Sequence, residues 1–168
     1  MRRIFIALIF TMFTAGSLFA ATPKVGDAAT EIQAKDWLNA STPISLASMN
    51  KNIVVVQLWA STCALCVTSI PHLVELQEKY KDKGVVILGL SEEDKAKVSP
   101  IVSKLKIKYP VGIGSKSVQD YGVRFCCTLQ SSTTVVVAPG GKIVWSGHPM
   151  NGLDKAVEKA LVDTPPQK

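Results

Sequence analysis

The sequence predicts an α/β fold, a mixed central β-sheet flanked by helices on both faces. Three observations carry this expectation. Ile53-Val54-Val55-Val56-Gln57-Leu58 and Val85–Leu90 are apolar runs of strand length, rich in β-branched residues, as expected of strands buried on both faces. The segments after them change to helical spacing, which implies strand-helix-strand units and parallel pairing. Near the C-terminus, Thr133–Val137 and Lys142–Trp145 flank Pro139-Gly140-Gly141, a hairpin with a Gly-rich turn that adds antiparallel strands.

The first twenty residues stand apart from this pattern. Met1-Arg2-Arg3 is a basic start, Ile4 to Phe19 is uncharged and mostly apolar, and Leu18-Phe19-Ala20 precedes Ala21-Thr22-Pro23. This is the layout of a secretory signal cleaved after Ala20, and an uncleaved anchor over residues 4–21 is the alternative. Residues 21–168 are then one domain, long enough for a proper core.

Within that domain, strands are expected near Glu31–Asp36 and at Pro43–Leu46. After Ile53–Trp59, a helix runs from Ala64 to Tyr80, with Ile70, Leu73, Val74 and Leu76 inward and Glu75, Glu78 and Lys79 outward. Pro71 should kink it, and Lys83-Gly84 ends it. Ser91-Glu92-Glu93-Asp94 reads as an N-cap followed by acids. The helix it opens runs to about Lys106, with an interruption at Pro100. Tyr109–Ile113 is a short strand, Lys116–Tyr121 a short helix ended by Gly122, and Leu153–Val162 the closing amphipathic helix.

The chain has a formal net charge of +6, of which Arg2 and Arg3 belong to the leader. The lysines are scattered among acids, with no basic run interleaved with aromatics. That is a solvated surface and excludes a nucleic-acid partner. All four cysteines, Cys63, Cys66, Cys126 and Cys127, lie beyond the leader. An exported protein meets oxidising conditions, yet a domain this long does not need staples. The weight therefore falls on active thiols.

Cys63-Ala64-Leu65-Cys66 sits where the buried strand gives way to a helix. A helix start offers unpaired N–H groups and the positive end of a dipole, and both favour a thiolate at Cys63. Two intervening residues place Cys66 one turn on, within reach of a disulfide. The Cys63 thiol is expected to be partly exposed, and because Ala64-Leu65 contributes no charge of its own, its pKa is expected to be about 7. A less stabilised thiolate makes a less oxidising disulfide, which leans toward a reductant or isomerase.

Val55–Cys66, the Ile70-Pro71 pair, Lys83–Ser91, Gly140-Gly141-Lys142-Ile143-Val144 and Val25-Gly26-Asp27 together resemble exported thioredoxin-fold proteins of the TlpA/ResA type, over about residues 24–162. The resemblance implies a thioredoxin-like fold and thiol–disulfide exchange with exported or membrane thiol/disulfide proteins. Cys63 would attack and Cys66 resolve, with no organic cofactor beyond the redox-active disulfide. Membrane association would follow only if the N-terminal segment stays uncleaved. The chain also departs from the pattern. Ser132, just before Thr133, stands where the family carries a cis-proline, and a cis bond there would cost about 3–4 kcal/mol, so a trans bond or a rebuilt loop is expected. Thr62 replaces a Trp. Gln57 stands in place of a buried acid, so it can orient water or a backbone group but cannot accept a proton. The stretch before Thr133 is about five residues longer than usual and contains Cys126-Cys127.

Trp59, Thr62, Ser132 and Thr133 are the expected site-lining residues, with Cys126 and Cys127 as auxiliary thiols. Neighbouring cysteines rarely bridge each other, so the pair is read as a relay, as a metal site with Cys63 and Cys66, or as one buried and one incidental thiol. A metal-binding or metal-delivery protein is thus the alternative function, and a scaffold that lost activity is a third. His72 is expected to face solvent, and His148 to lie in a loop outside any ligand spacing. Ala60 occupies the position where a peroxidase relative would carry Thr. Trp59 is expected in the core with its N–H at the site edge, Trp37 and Trp145 in packing roles. Glu92-Glu93-Asp94 is expected to be a helix start and no metal site.

Overall fold

A computed structural model describes residues 23–121 and 134–165. The order is β1 (Asp36–Leu38), β2 (Ile53–Leu58), α1 (Ala64–Tyr80), β3 (Val85–Leu90), α2 (Lys95–Lys104), β4 (Val111–Ile113), α3 (Ser117–Asp120), β5 (Thr134–Val137), β6 (Ile143–Gly147) and α4 (Leu153–Asp163). The expected leader at 1–20 and Cys126, Cys127, Ser132 and Thr133 lie outside the described residues.

The six strands form one mixed sheet in the order β1-β4-β3-β2-β5-β6. β2, β3 and β4 are parallel, while β5 runs antiparallel to β2, β6 to β5, and β1 to β4. Strand alternation divides the core. Val55, Ile87 and Val136 pack with Ile70, Leu73 and Leu76 of α1, Val98 of α2, and Leu153 and Val157 of α4. Val54, Val56, Leu58, Leu88 and Val135 face the other way, onto Val118 of α3, Tyr121, Ile32 and Leu46. Every residue of β2 is buried, as a central strand covered on both faces requires.

The structure corrects several expectations. Of the strand near Glu31–Asp36, only Asp36 is in β1, whose residues pair with β4. Pro43–Leu46 is no strand. Its end feeds a 3-10 turn (Ala47–Met49), and the Leu46 and Ala47 amides donate to the Glu31 carboxylate at 2.6 and 3.2 Å rather than to a ladder. The N-cap of α2 is Asp94, which accepts from the Lys97 amide at 3.1 Å. Ser91 prolongs the β3–β4 ladder instead, donating from its N–H to the Gly112 carbonyl at 3.0 Å. Pro100 does not interrupt α2, because Val98 and Val102 on either side are held in the core, and packing outweighs the local cost of proline. Pro71 lies inside α1, where the sequence placed it.

Candidate active site

β2 delivers the chain to the site. The Trp59 amide donates to the Leu90 carbonyl at 3.0 Å, adding one more rung beyond β2, and the Cys63 amide donates to the Ala60 carbonyl at 3.0 Å. This turn sets Cys63 as the N-cap of α1 in an extended backbone conformation. Its sulfur takes the role that Ser or Asp usually plays. The Cys66 amide points at Cys63 Sγ at 3.3 Å. Cys63 and Cys66 form a disulfide, with Cα atoms 5.3 Å apart. In the reduced form the same N–H, with the dipole of a 17-residue helix behind it, favours a thiolate on Cys63. Cys63 is 4% exposed and Cys66 1%, so the partly exposed thiol expected from the sequence is nearly covered here. Thr62 and Ala64 flank Cys63 and are exposed.

Polar contacts from three directions hold this turn. Below it, Gln57 is fully buried in β2. Its Nε2 donates to the Cys66 carbonyl at 3.3 Å and to Ser69 Oγ at 3.2 Å, while the Ser69 hydroxyl donates to the same carbonyl at 2.8 Å. Gln57 therefore orients backbone, as expected. Beside it, the Glu93 carboxylate accepts from both the Ser61 amide and the Ser61 hydroxyl, the latter at 2.7 Å. Glu93 is itself fixed: its amide donates to Ser91 Oγ at 3.2 Å, and its carbonyl accepts from the Gly114 amide at 3.0 Å. Sequence reading took Glu93 as part of a helix start and missed this clamp. No local signal reveals a contact 32 residues away. From the third direction, His148 in the β6–α4 turn is 3% exposed and set against the Leu65 backbone.

Trp59 is fully buried, and its Nε1 has no hydrogen-bond partner. It lies over Gly89, where a Cβ would sit 3.1 Å from that nitrogen. The indole is thus core packing that needs a glycine beneath it. His72 does not simply face solvent: its Nε2 lies 2.9 Å from Asp154 Oδ2 and ties α1 to α4. Among the described residues, no cluster of three or more His, Cys, Asp or Glu is placed to hold a metal, and no helix is long and apolar enough to cross a membrane.

The family model for AhpC/TSA matches residues 25–146, spanning β1 through most of β6. The chain belongs to the AhpC/TSA family. Among curated relatives of this AhpC/TSA chain, the thiol-disulfide oxidoreductase ResA of Halalkalibacterium halodurans is 25% identical over 142 residues, covering 83% of this chain and 77% of that protein. ResA of Bacillus thuringiensis is 32% identical over 104 residues, 60% of this chain and 57% of that protein. The protein DipZ of Mycobacterium tuberculosis is 35% identical over 85 residues, 46% of this chain. The chain spans only 12% of the length of DipZ. Among solved structures, a thiol:disulfide interchange protein from Bacteroides sp. superposes with a TM-score of 0.64 at 26% identity, covering 83% of this chain and 91% of that one. The thioredoxin domain of a thiol-disulfide oxidoreductase from Bacteroides vulgatus gives 0.68 at 24% identity, covering 82% and 97%. The fold is thioredoxin-like, as the sequence predicted.

Proposed function

We propose that this chain is an exported thiol–disulfide oxidoreductase that exchanges disulfides with partner proteins through Cys63 and Cys66. The observation that carries it is the placement of Cys63: the N-cap of α1, disulfide-bonded to Cys66 and receiving its amide N–H. A merely structural bridge gains little from so short a loop, whereas a thiolate gains directly from a helix start. The similarity to ResA supports the same reading.

In the reducing direction, the Cys63 thiolate attacks one sulfur of a partner disulfide. A mixed disulfide forms and the partner's other sulfur leaves as a thiolate. Deprotonated Cys66 then attacks Cys63 Sγ, closes the Cys63–Cys66 disulfide and releases the second partner thiol. Two electrons pass from this chain to the partner, and the reverse order makes it an oxidant. The partner approaches along the exposed Thr62 and Ala64. Electrons travel as thiols, so no organic cofactor enters. The reading takes residues 1–20 as the export leader and 21–168 as the domain, supported by the basic start and the apolar run. Cys126 and Cys127 enter it as auxiliary thiols.

The test is thiol trapping by intact mass across a glutathione redox series, with Cys63→Ser alongside. The pair is expected to open reversibly between about −120 and −270 mV, the span of exchange proteins. A pair that never cycles, or thiols shielded by a bound metal, overturns the proposal.

A further inference from the structure

The turn that ends on Cys63 carries a negative charge from outside its own segment. Its closing hydrogen bond runs from the Cys63 amide to the Ala60 carbonyl at 3.0 Å, so Ser61 and Thr62 are its two central residues. Both oxygens of the half-buried Glu93 carboxylate are engaged there. The Ser61 hydroxyl donates to Oε1 at 2.7 Å, and the Ser61 amide donates to Oε2. Two residues of chain span at most about 7 Å, which puts the carboxylate within about 10 Å of the Cys63 amide.

This charge is ordered but not cancelled. The other contact to Glu93 Oε2 is also neutral, the Ser91 hydroxyl at 3.5 Å. None of the ion pairs among the described residues includes Glu93. Charged neighbours on the flanking elements have partners of their own. Asp94 caps α2 through the Lys97 amide, Lys95 is paired with Asp36, and Asp154 of α4 is paired with His72 of α1. Burial holds His148 toward its neutral form. The helix start and the Cys66 amide favour a thiolate on Cys63, whereas a like charge held nearby disfavours it.

We propose that Glu93 is a positioning residue that also tunes the couple: the carboxylate that orders the Ala60–Cys63 turn opposes the Cys63 thiolate and biases the pair toward its disulfide. This rests on the exchange function proposed above, and it assigns that exchange a preferred sense. The disulfide is uncharged at sulfur, while the reduced form carries a thiolate once the pH passes the thiol pKa. A fixed negative charge therefore raises the energy of the reduced form alone. The dithiol gives up its two electrons to a partner disulfide more readily, and a thiolate of higher pKa is the stronger nucleophile. No proton or electron passes through Glu93.

Two substitutions separate the charge from the clamp. Glu93→Gln keeps an acceptor for Ser61 and removes the charge. Ser61→Ala keeps the charge and the amide contact and removes the hydroxyl contact. The first readout is the pH of half-maximal alkylation at Cys63 in the reduced protein, followed by intact mass. Glu93→Gln is expected to lower it by about half a unit, a threefold change. The gap from wild type should narrow at about 1 M salt, where the Debye length is about 3 Å. Ser61→Ala is expected to keep the wild-type alkylation pH. In a glutathione series at pH 8, Glu93→Gln should shift the equilibrium about threefold toward the dithiol, about 15 mV less negative. Equal alkylation profiles for wild type and Glu93→Gln overturn the proposal while leaving exchange intact. A gap that salt does not change, or the same shift in Ser61→Ala, also overturns it, because turn geometry rather than charge would then be the cause. A wild-type pair that never cycles removes the exchange function itself, and this inference with it.

Discussion

Removing the Glu93 carboxylate tests whether the turn before Cys63 is held from outside its own segment. Glu93→Ala deletes both hydrogen bonds to Ser61, one from the amide and one from the hydroxyl. Each, to a charged acceptor in a buried site, would be worth about 1.5–3 kcal/mol. Glu93 is only half-buried, so screening reduces each to about 1 kcal/mol, a total loss of about 2 kcal/mol. For a domain of this size that lowers the melting temperature by about 4–8 °C. The Ser61 amide is the direct reporter. If the clamp sets its opening, native-state hydrogen exchange there accelerates about 30-fold, the equivalent of 2 kcal/mol. Glu93→Gln, which retains one acceptor oxygen, should fall between the two. A Glu93→Ala protein with unchanged Ser61 exchange and a stability within about 0.5 kcal/mol of wild type would refute the clamp, since a loss that small is what an ordinary surface change gives.

Gly89→Ala places a Cβ 3.1 Å from Trp59 Nε1 and 3.3 Å from Tyr109 Cε2, both fixed in the core, so a loss of about 1–3 kcal/mol is expected by urea unfolding. Tyr121→Phe removes the hydrogen bond from the Tyr121 hydroxyl to the Thr30 carbonyl at 2.8 Å and should cost about 1 kcal/mol. Tyr109→Phe removes a buried hydroxyl with no partner and should be neutral or stabilising in the same urea assay. Burial raises the pKa of both tyrosines, so the folded state keeps its phenol protons while the unfolded chain loses them above pH of about 10. Their stabilisation is complete below that pH and is lost as pH rises further. Urea midpoints from pH 9 to 11.5 should fall, and the double Phe variant should flatten the fall.

The parts legible in the sequence are those set by short-range pattern. The length and β-branching of Ile53–Leu58 marked a buried strand, and the helical spacing of Ile70, Leu73 and Leu76 marked α1 after it. The Cys63–Cys66 turn followed from that junction. Contacts between distant polar groups stayed hidden. Glu31 gives its carboxylate to Leu46 and Ala47, so a segment that reads as a strand becomes a capped turn. Ser91 and Asp94 are both good N-caps by residue type. Only the β3–β4 ladder, which engages the Ser91 backbone, decides between them. His148 is a loop residue, as the sequence predicted; that the loop is buried against α1 depends on how the β6–α4 turn folds back.

Three polar groups reach the Cys63–Cys66 turn from three separate elements: Gln57 from β2, Glu93 from the segment before α2, and His148 from the turn before α4. None of them is needed to close the sheet, whose register rests on main-chain pairing and on apolar residues alternating across it. Each instead touches a backbone group within the stretch from Ser61 to Cys66. A helix start alone gives Cys63 a moderate field, and Ala64-Leu65 adds no charge to it. These contacts bear on the peptide dipoles around the two sulfurs, so they are placed to tune the exchange chemistry of Cys63 and Cys66. Gln57 cannot ionise and His148 is kept neutral by burial, so two of the three act as fixed dipoles near neutral pH. A potential that changes with pH around neutrality therefore reports the cysteines themselves. A clear additional titration in that range would assign a proton to one of the groups read here as a dipole, and His148 is the one able to carry it.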